Sequence, residues 1–132
     1  MSSTNAVNPW RWQDQFNFSQ AVTVEGARRV VFCAGQTSVD ASGNLLHPGD
    51  MGAQLHSAFD NLETVLAASG CTLANVVRLN YYVTDVDAFA AAGPVVAQRL
   101  AACAVKPCGT LLGVGRLFHP DLLVEMEATA VL

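Results

Sequence analysis

In LLVEMEATAVL, residues 122–132, apolar and polar side chains alternate from Val124 to Ala130. In a β-strand, successive side chains point to opposite faces of the sheet. One face would carry the apolar set Leu122, Val124, Met126, Ala128 and Ala130. The other face would carry Leu123, Glu125, Glu127, Thr129 and Val131. We therefore predict a strand whose first face packs against a core and whose second face presents two carboxylates.

The stretch VVRLNYYVT (76–84) predicts another long strand with the same division. Its core side would carry Leu79, Tyr81 and Val83, and its other side Arg78, Asn80, Tyr82 and Thr84. Alternation over 19–25 and the β-branched run RVVFCAGQ (29–36) predict two more strands, which Gly26 would join into a hairpin. Residues 109–116 predict a strand that is interrupted by glycines.

Apolar residues recur at helical spacing from Met51 to Leu66, directly after Asp50, which is a suitable N-cap. This pattern predicts one helix that begins at Met51 and ends at Ser69-Gly70. The opposite face of this helix would be polar and would carry Gln54, Asp60, Asn61 and Glu63.

A second helical segment is predicted from Val86 to about Ala102, with Asp85 as its N-cap. Gly93-Pro94 lies inside this segment, and a proline inside a helix removes a backbone hydrogen bond. We therefore expect a kink at Gly93-Pro94, or two short helices.

The predicted order β-β-α-β-α-β-β describes a single α+β domain over 1–132, with an N-terminal arm over 1–15. Two helices can cover only one face of one sheet, so the other face needs burial from outside the chain. The composition agrees, because 52% of the residues are hydrophobic and only 14% are charged, against roughly 25% charged in an average domain. We therefore expect a subunit interface.

The formal charge of −4 argues against electrostatic binding to nucleic acid. No apolar run approaches the roughly 20 residues of a membrane span, and residues 1–8 lack the apolar core of a secretory signal. The cysteines Cys33, Cys71, Cys103 and Cys108 have spacings that fit no common zinc site. We therefore expect a cytoplasmic protein with reduced thiols, without a zinc site, and without a nucleic-acid or membrane partner.

The two carboxylates of the last strand, Glu125 and Glu127, have two interpretations. They could form cross-strand ion pairs with Arg78 or Arg116, which would make them structural. Alternatively, a partly desolvated carboxylate on this face could position a water molecule or move a proton. The sequence leaves both interpretations open.

Five blocks carry a wider resemblance: FNFSQAV (16–22), VVFCAGQ (30–36), VVRLNYYVTD (76–85), GVGRL (113–117) and VEMEATA (124–130). Together they resemble the RidA/YjgF family of reactive-intermediate deaminases. This resemblance implies a chorismate-mutase-like fold in a homotrimer, with the sheets inside, the helices outside and ligand clefts between subunits. In the active branch, those clefts hydrolyse the enamine and imine products of pyridoxal-phosphate enzymes to keto acids and ammonia, without a cofactor or metal.

The resemblance also assigns positions in the cleft. The active branch has an arginine, two residues after the proline that opens the fourth strand, that clamps the substrate carboxylate. That proline is Pro107 here, and Gly109 stands in place of the arginine. Phe18 aligns with a tyrosine of the family and Gly93 with a polar residue, whereas Gly35 and Glu125 are retained. The sequence therefore resembles a branch that lacks the arginine, and Arg116 has the wrong strand parity to replace it.

The resemblance implies Glu125 as the catalytic residue that orients water, with backbone N–H groups near Gly35 and Thr110 helping to hold the substrate. The full set of expected substrate-binding residues is Phe18, Ala34, Gly35, Phe89, Gly109, Thr110 and Leu111. Three functions remain open: hydrolysis of an imine, enamine or related C–N bond in a substrate without the usual carboxylate, non-catalytic binding of a small molecule in a chaperone-like trimer, and an endoribonuclease activity. The acidic charge disfavours the last.

Overall fold

The computed structural model describes residues 2–132, which form six strands and three α-helices. The strands are β1 Ser3–Val7, β2 Ala21–Glu25, β3 Val30–Gln36, β4 Val76–Val83, β5 Leu111–Gly113 and β6 Val124–Val131. The helices are α1 Met51–Ala68, α2 Val86–Ala91 and α3 Gly93–Leu100.

Four strands form the main sheet in the order β3-β6-β4-β5. Strand β6 is antiparallel to both of its neighbours, and the short edge strand β5 is parallel to β4. The predicted division of β6 is confirmed, because its core-facing side chains from Val124 to Ala130 are at most 4% exposed. Glu125 and Glu127 lie on the other face, opposite Tyr82 and Asn80 of β4.

The helices begin and break where the sequence predicts. The Asp50 side chain accepts a hydrogen bond from the Ala53 N–H at 3.0 Å and caps α1. The second helical segment is divided into α2 and α3, with Pro94 in the first turn of α3, where a missing N–H costs nothing. All three helices contribute to the core on one face of the sheet. Among residues 2–132, no helix combines the length and apolar character needed to cross a membrane.

One position expected on the polar face of α1 is buried instead. Gln54 is fully buried, and its Nε2 donates to the carbonyl oxygens of His47 at 3.1 Å and Asp121 at 2.9 Å. Its Oε1 accepts from the Leu123 N–H at 2.8 Å. The prediction was wrong because a side-chain amide can be buried when its nitrogen and oxygen both have hydrogen-bond partners. Through these bonds, Gln54 joins the start of α1 to the residues just before β6.

The predicted hairpin between residues 19–25 and 29–36 is wrong. Strand β2 pairs with β1, in a separate two-stranded sheet, whereas β3 pairs with β6. The N–H groups of Arg28 and Arg29 both donate to the Leu132 carbonyl oxygen, so the end of β6 holds the backbone that would otherwise form the hairpin turn.

The strand predicted over 109–116 is shorter than expected. Only Leu111–Gly113 forms β5, and the next residue, Val114, donates its N–H to Val83, the last residue of β4. Because β4 ends there, residues 114–116 have no strand to pair with.

The face of the sheet opposite the helices is open in the single chain. It exposes 81% of Phe32, 47% of Val30 and 48% of Leu112, next to the half-buried Glu125 and Glu127. An exposed apolar surface beside polar groups is typical of an interaction surface. We call this surface the open face.

Candidate functional site

A cavity of about 790 Å³ lies between the β4–β5 edge of the sheet, helices α2 and α3, and residues 15–18. Its lining residues are Gln15, Phe16, Asn17, Phe18, Leu79, Tyr81, Phe89, Ala90, Gly93, Pro94, Val96, Ala97, Pro107, Gly109, Thr110 and Leu111. None of these side chains carries a charge at neutral pH, and the tyrosine is the one titratable group among them.

Five of the residues expected to bind substrate meet in this cavity: Phe18, Phe89, Gly109, Thr110 and Leu111. They come from three separate parts of the chain, and Gly93, which aligns with a polar family position, also lines the cavity. The volume lies within the range of about 300–1,000 Å³ that is typical of small-molecule sites.

The other three expected residues, Ala34, Gly35 and Glu125, do not line the cavity. Ala34 and Gly35 are exposed on β3, and a Cβ atom on Gly35 would overlap the Glu125 carboxylate and lie 2.8 Å from its Cδ. The glycine therefore leaves room for the carboxylate. Since Glu125 is on the open face and the cavity is on the helix side, the sheet separates the expected catalytic residue from the expected binding residues of the same chain.

Glu125 lies in an environment that favours its protonated form. Burial raises the pKa of Glu125, and the nearby negative charge of Glu127 raises it further. Glu127 itself accepts hydrogen bonds from the Tyr82 hydroxyl at 2.5 Å and from Asn80 Nδ2 at 3.3 Å. The bond to Glu127 is also the main reason why the pKa of Tyr82 is raised.

The ion pairs considered for these carboxylates do not form. Within residues 2–132, neither Glu125 nor Glu127 makes an ion pair with Arg78 or Arg116. The Arg116 Nε donates to the carbonyl oxygen of Leu117 instead. A carboxylate without a cationic partner on a half-buried surface fits the functional interpretation of Glu125 better than the structural one.

Gly109 is fixed as a glycine by the backbone around it. A Cβ atom at this position would overlap the Leu79 carbonyl oxygen and lie 2.7 Å from the Leu79 carbonyl carbon. The chain approaches β4 here because the Leu79 N–H donates to Cys108 and the Cys108 N–H donates to Val77, at 2.9 and 3.0 Å. Position 109, where the resemblance places an arginine, therefore has no space for a side chain.

The backbone N–H of Thr110, expected to help hold a substrate, has a partner within the chain. It donates to Asn80 Oδ1 at 3.0 Å. A ligand that used this donor would therefore have to replace the side-chain amide of Asn80, on the adjacent strand.

Aromatic side chains that the sequence analysis did not assign to the site form much of the cavity wall. Phe16 stacks on Phe18 with ring centroids 6.4 Å apart, and Trp12, which does not itself line the cavity, packs edge-on against Phe18 at 5.9 Å. On the other side, Tyr81 packs against Phe89 at 5.0 Å. The sequence signal for Phe16 is its position two residues before Phe18 in the FNF stretch.

Known proteins resemble this chain over nearly its whole length. The family model described as Endoribonuclease L-PSP matches residues 12–132. A RutC family protein of Pyrococcus horikoshii is 31% identical over 113 residues, which cover 86% of this chain and 85% of the relative. The crystal structure of YyfB from Yersinia pestis, a Rid family protein of unknown function, is 33% identical with a TM-score of 0.88 and 98% coverage of both chains.

A relative with a named activity matches a shorter part of the chain. The 2-iminobutanoate/2-iminopropanoate deaminase of Rattus norvegicus is 35% identical over 72 residues, which cover 54% of this chain and 50% of the relative. The likeness to the Yersinia pestis structure confirms the α+β fold that the sequence resemblance implies.

Proposed function

Because this chain belongs to the Endoribonuclease L-PSP family, also called the RidA/YjgF family, we propose that it hydrolyses the C=N bond of a small imine or enamine. The observation that carries the proposal is Glu125, a half-buried carboxylate without a cationic partner that lies over Gly35. Relatives named as imine deaminases supply the reaction class. We also propose a cytoplasmic location, since all four cysteines are free thiols.

In the proposed reaction, Glu125 accepts a proton from a water molecule as the water oxygen bonds to the imine carbon. The C=N π-electron pair of the protonated imine moves to the nitrogen and gives a neutral carbinolamine. Glu125 then passes its proton to the nitrogen, and the C–N bond breaks with its electron pair going to the nitrogen. The hydroxyl oxygen forms the C=O double bond and returns its proton to Glu125, so that a carbonyl compound and ammonia leave. A carboxylate whose pKa is raised toward neutrality accepts a proton more readily than an ordinary glutamate does.

We propose that two copies of the chain build each site. The cavity and Glu125 lie on opposite faces of one sheet, so Glu125 of one copy has to meet the cavity of another. The open face with Phe32 and Val30 is the apolar surface that this arrangement would bury. The family resemblance implies a closed ring of three copies. In such a ring the same contact occurs between each pair of neighbours, so that no contact surface remains uncovered.

The trimer predicts a definite mass in solution. Light scattering at micromolar concentration is expected to give three times the 13.9 kDa of one chain. A stable monomer under the same conditions would contradict the composite site.

The pH dependence of hydrolysis should depend on Glu127. Since Glu125 must be ionised to accept a proton, kcat/KM is expected to fall with decreasing pH through its raised pKa, above the value of about 4.3 of an ordinary glutamate. Glu127→Gln removes the nearby negative charge, keeps an oxygen acceptor for Tyr82, and should move this acidic limb to lower pH. An unchanged limb in the pH profile of kcat/KM would show that Glu127 does not act on the catalytic group.

The function can be tested with imines made in the assay. An amino-acid oxidase supplies imino acids, an amine oxidase supplies imines without a carboxylate, and semicarbazide traps the remaining imine. For at least one of the two kinds of imine, the wild-type protein is expected to lower the amount that semicarbazide traps and to increase the rate of ammonia release. Glu125→Gln is expected to change neither quantity. Wild-type protein that accelerates neither series would overturn the proposed hydrolase.

One observation favours a second function, namely binding without catalysis. Gly109 leaves no room for the family arginine, and no charged side chain lines the cavity in the described part of the chain. Saturable binding of a small molecule without imine hydrolysis would support this second candidate.

A further inference from the structure

We propose that the cavity binds a ligand that carries an aromatic or similarly large apolar ring and no negative charge. The substrate would then be an imine of a carbonyl compound without a carboxylate group. The link to a substrate rests on the proposed function, but the ligand class follows from the cavity of a single chain and can be tested by binding alone.

The residues that line the cavity disfavour a negatively charged ligand. A carboxylate that enters a cavity without a cationic partner loses its hydration without compensation, so that it binds weakly or takes up a proton. The one titratable group, Tyr81, stays neutral because burial raises its pKa. The faces of aromatic rings are electronegative, so they favour neutral or cationic groups over anions. A protonated imine is compatible with this lining, whereas a carboxylate has no partner.

The nearest cation along the chain does not replace the missing arginine. Lys106 directly precedes the cavity residue Pro107, but it does not line the cavity. Its Nζ donates to the carbonyl oxygen of Phe16 at 3.3 Å, and the side chain is exposed. The ammonium group therefore lies outside, where solvent weakens its interaction with an anion.

The shape and size of the lining favour a ring. Phe16 and Phe18 form one stacked aromatic wall, and Tyr81 with Phe89 forms a second. A volume of about 790 Å³ exceeds the need of a three-carbon imino acid, and a ring packed between aromatic walls gains from stacked or edge-on contacts beyond simple burial.

Binding can be measured with three carbonyl compounds that resemble the reaction products. Acetophenone and phenylglyoxylate share a ring, and the second replaces the methyl group by a carboxylate. Acetone lacks the ring. Calorimetry on the wild-type protein is expected to give acetophenone an affinity at least about tenfold higher than either of the other two, equivalent to about 1.4 kcal/mol.

Two phenylalanine variants, one within α3 and one just after its end, test where the ligand binds. Ala97 is exposed and lines the cavity, so Ala97→Phe fills space and should abolish acetophenone binding. Ala101, four residues further on and also exposed, does not line the cavity, and Ala101→Phe should keep the wild-type affinity. Thermal unfolding of both variants checks that each is folded.

The opposite preferences would overturn the proposal. The proposal would be wrong if phenylglyoxylate bound as tightly as acetophenone. If Lys106→Met then lost this binding, the Lys106 ammonium group would be identified as the partner of the carboxylate. Absence of saturable acetophenone binding, or binding that survives Ala97→Phe, would also overturn it. Acetophenone binding without hydrolysis of any imine would leave the ligand class standing and refute the proposed function instead, so the two failures are distinguishable.

Discussion

Glu125→Gln is expected to lower kcat/KM for imine hydrolysis by at least about 100-fold, the low end of the contribution made by a positioned general base. The glutamine keeps the shape of the side chain but cannot accept a proton. Ligand affinity should remain within about twofold of the wild type, because the apolar and aromatic lining of the cavity holds the ligand, whereas Glu125 acts on the water molecule. Steady-state kinetics together with calorimetry on the same preparations give both numbers.

Glu25→Gln serves as the matched control for this variant. Glu25 is exposed at the end of β2, away from the main sheet, so the same chemical change there should leave both hydrolysis and binding at wild-type values. If Glu125→Gln hydrolyses imines as fast as this control, Glu125 is not the base, and the proton acceptor has to be sought elsewhere.

Gly109→Ala is expected to lower the free energy of unfolding by about 1–3 kcal/mol, the usual cost of an added group in a filled space. The new methyl group would overlap the Leu79 carbonyl group, and because that atom belongs to the backbone of β4, no side-chain rotation can relieve the overlap. Urea denaturation followed by circular dichroism measures the change.

Gly115→Ala is the control, since a Cβ atom there meets nothing within 4 Å. It should leave stability unchanged or raise it by up to about 1 kcal/mol, through the lower entropy of the unfolded chain. Equal stability of the two alanine variants would contradict the close backbone approach. It would also show that the backbone around position 109 leaves room for a side chain.

The elements that the sequence predicted correctly depend on local chemistry. Asp50 caps α1, Pro94 separates α2 from α3, and the alternation around Met126 assigns the two faces of β6. Each of these signals lies within a few residues of the feature that it determines. The errors involve partners distant in sequence, as in the pairing of β2 with β1 and the burial of Gln54 against residues 121–123.

The two parts of the site differ in the same way. Phe18, Phe89 and Gly109 could be assigned through the family resemblance, since no local pattern joins residues so far apart. Strict alternation would place Gly35 on the core side with the buried Cys33. A register shift between Cys33 and Gln36 instead turns Gly35 toward Glu125 on the open face. Such a register shift depends on how the two strands pair, so it cannot be predicted from the residues of one strand alone.

Mixed trimers test the central claim, that each site combines the cavity of one copy with Glu125 of another. Glu125→Gln and Ala97→Phe are each expected to be inactive alone. When the two are unfolded and refolded together in equal amounts, some sites combine an open cavity with an intact carboxylate. Imine hydrolysis should then recover to about one quarter of the wild-type rate, as random assembly of a ring with one repeated contact requires. A mixture as inactive as its two components would contradict the composite site.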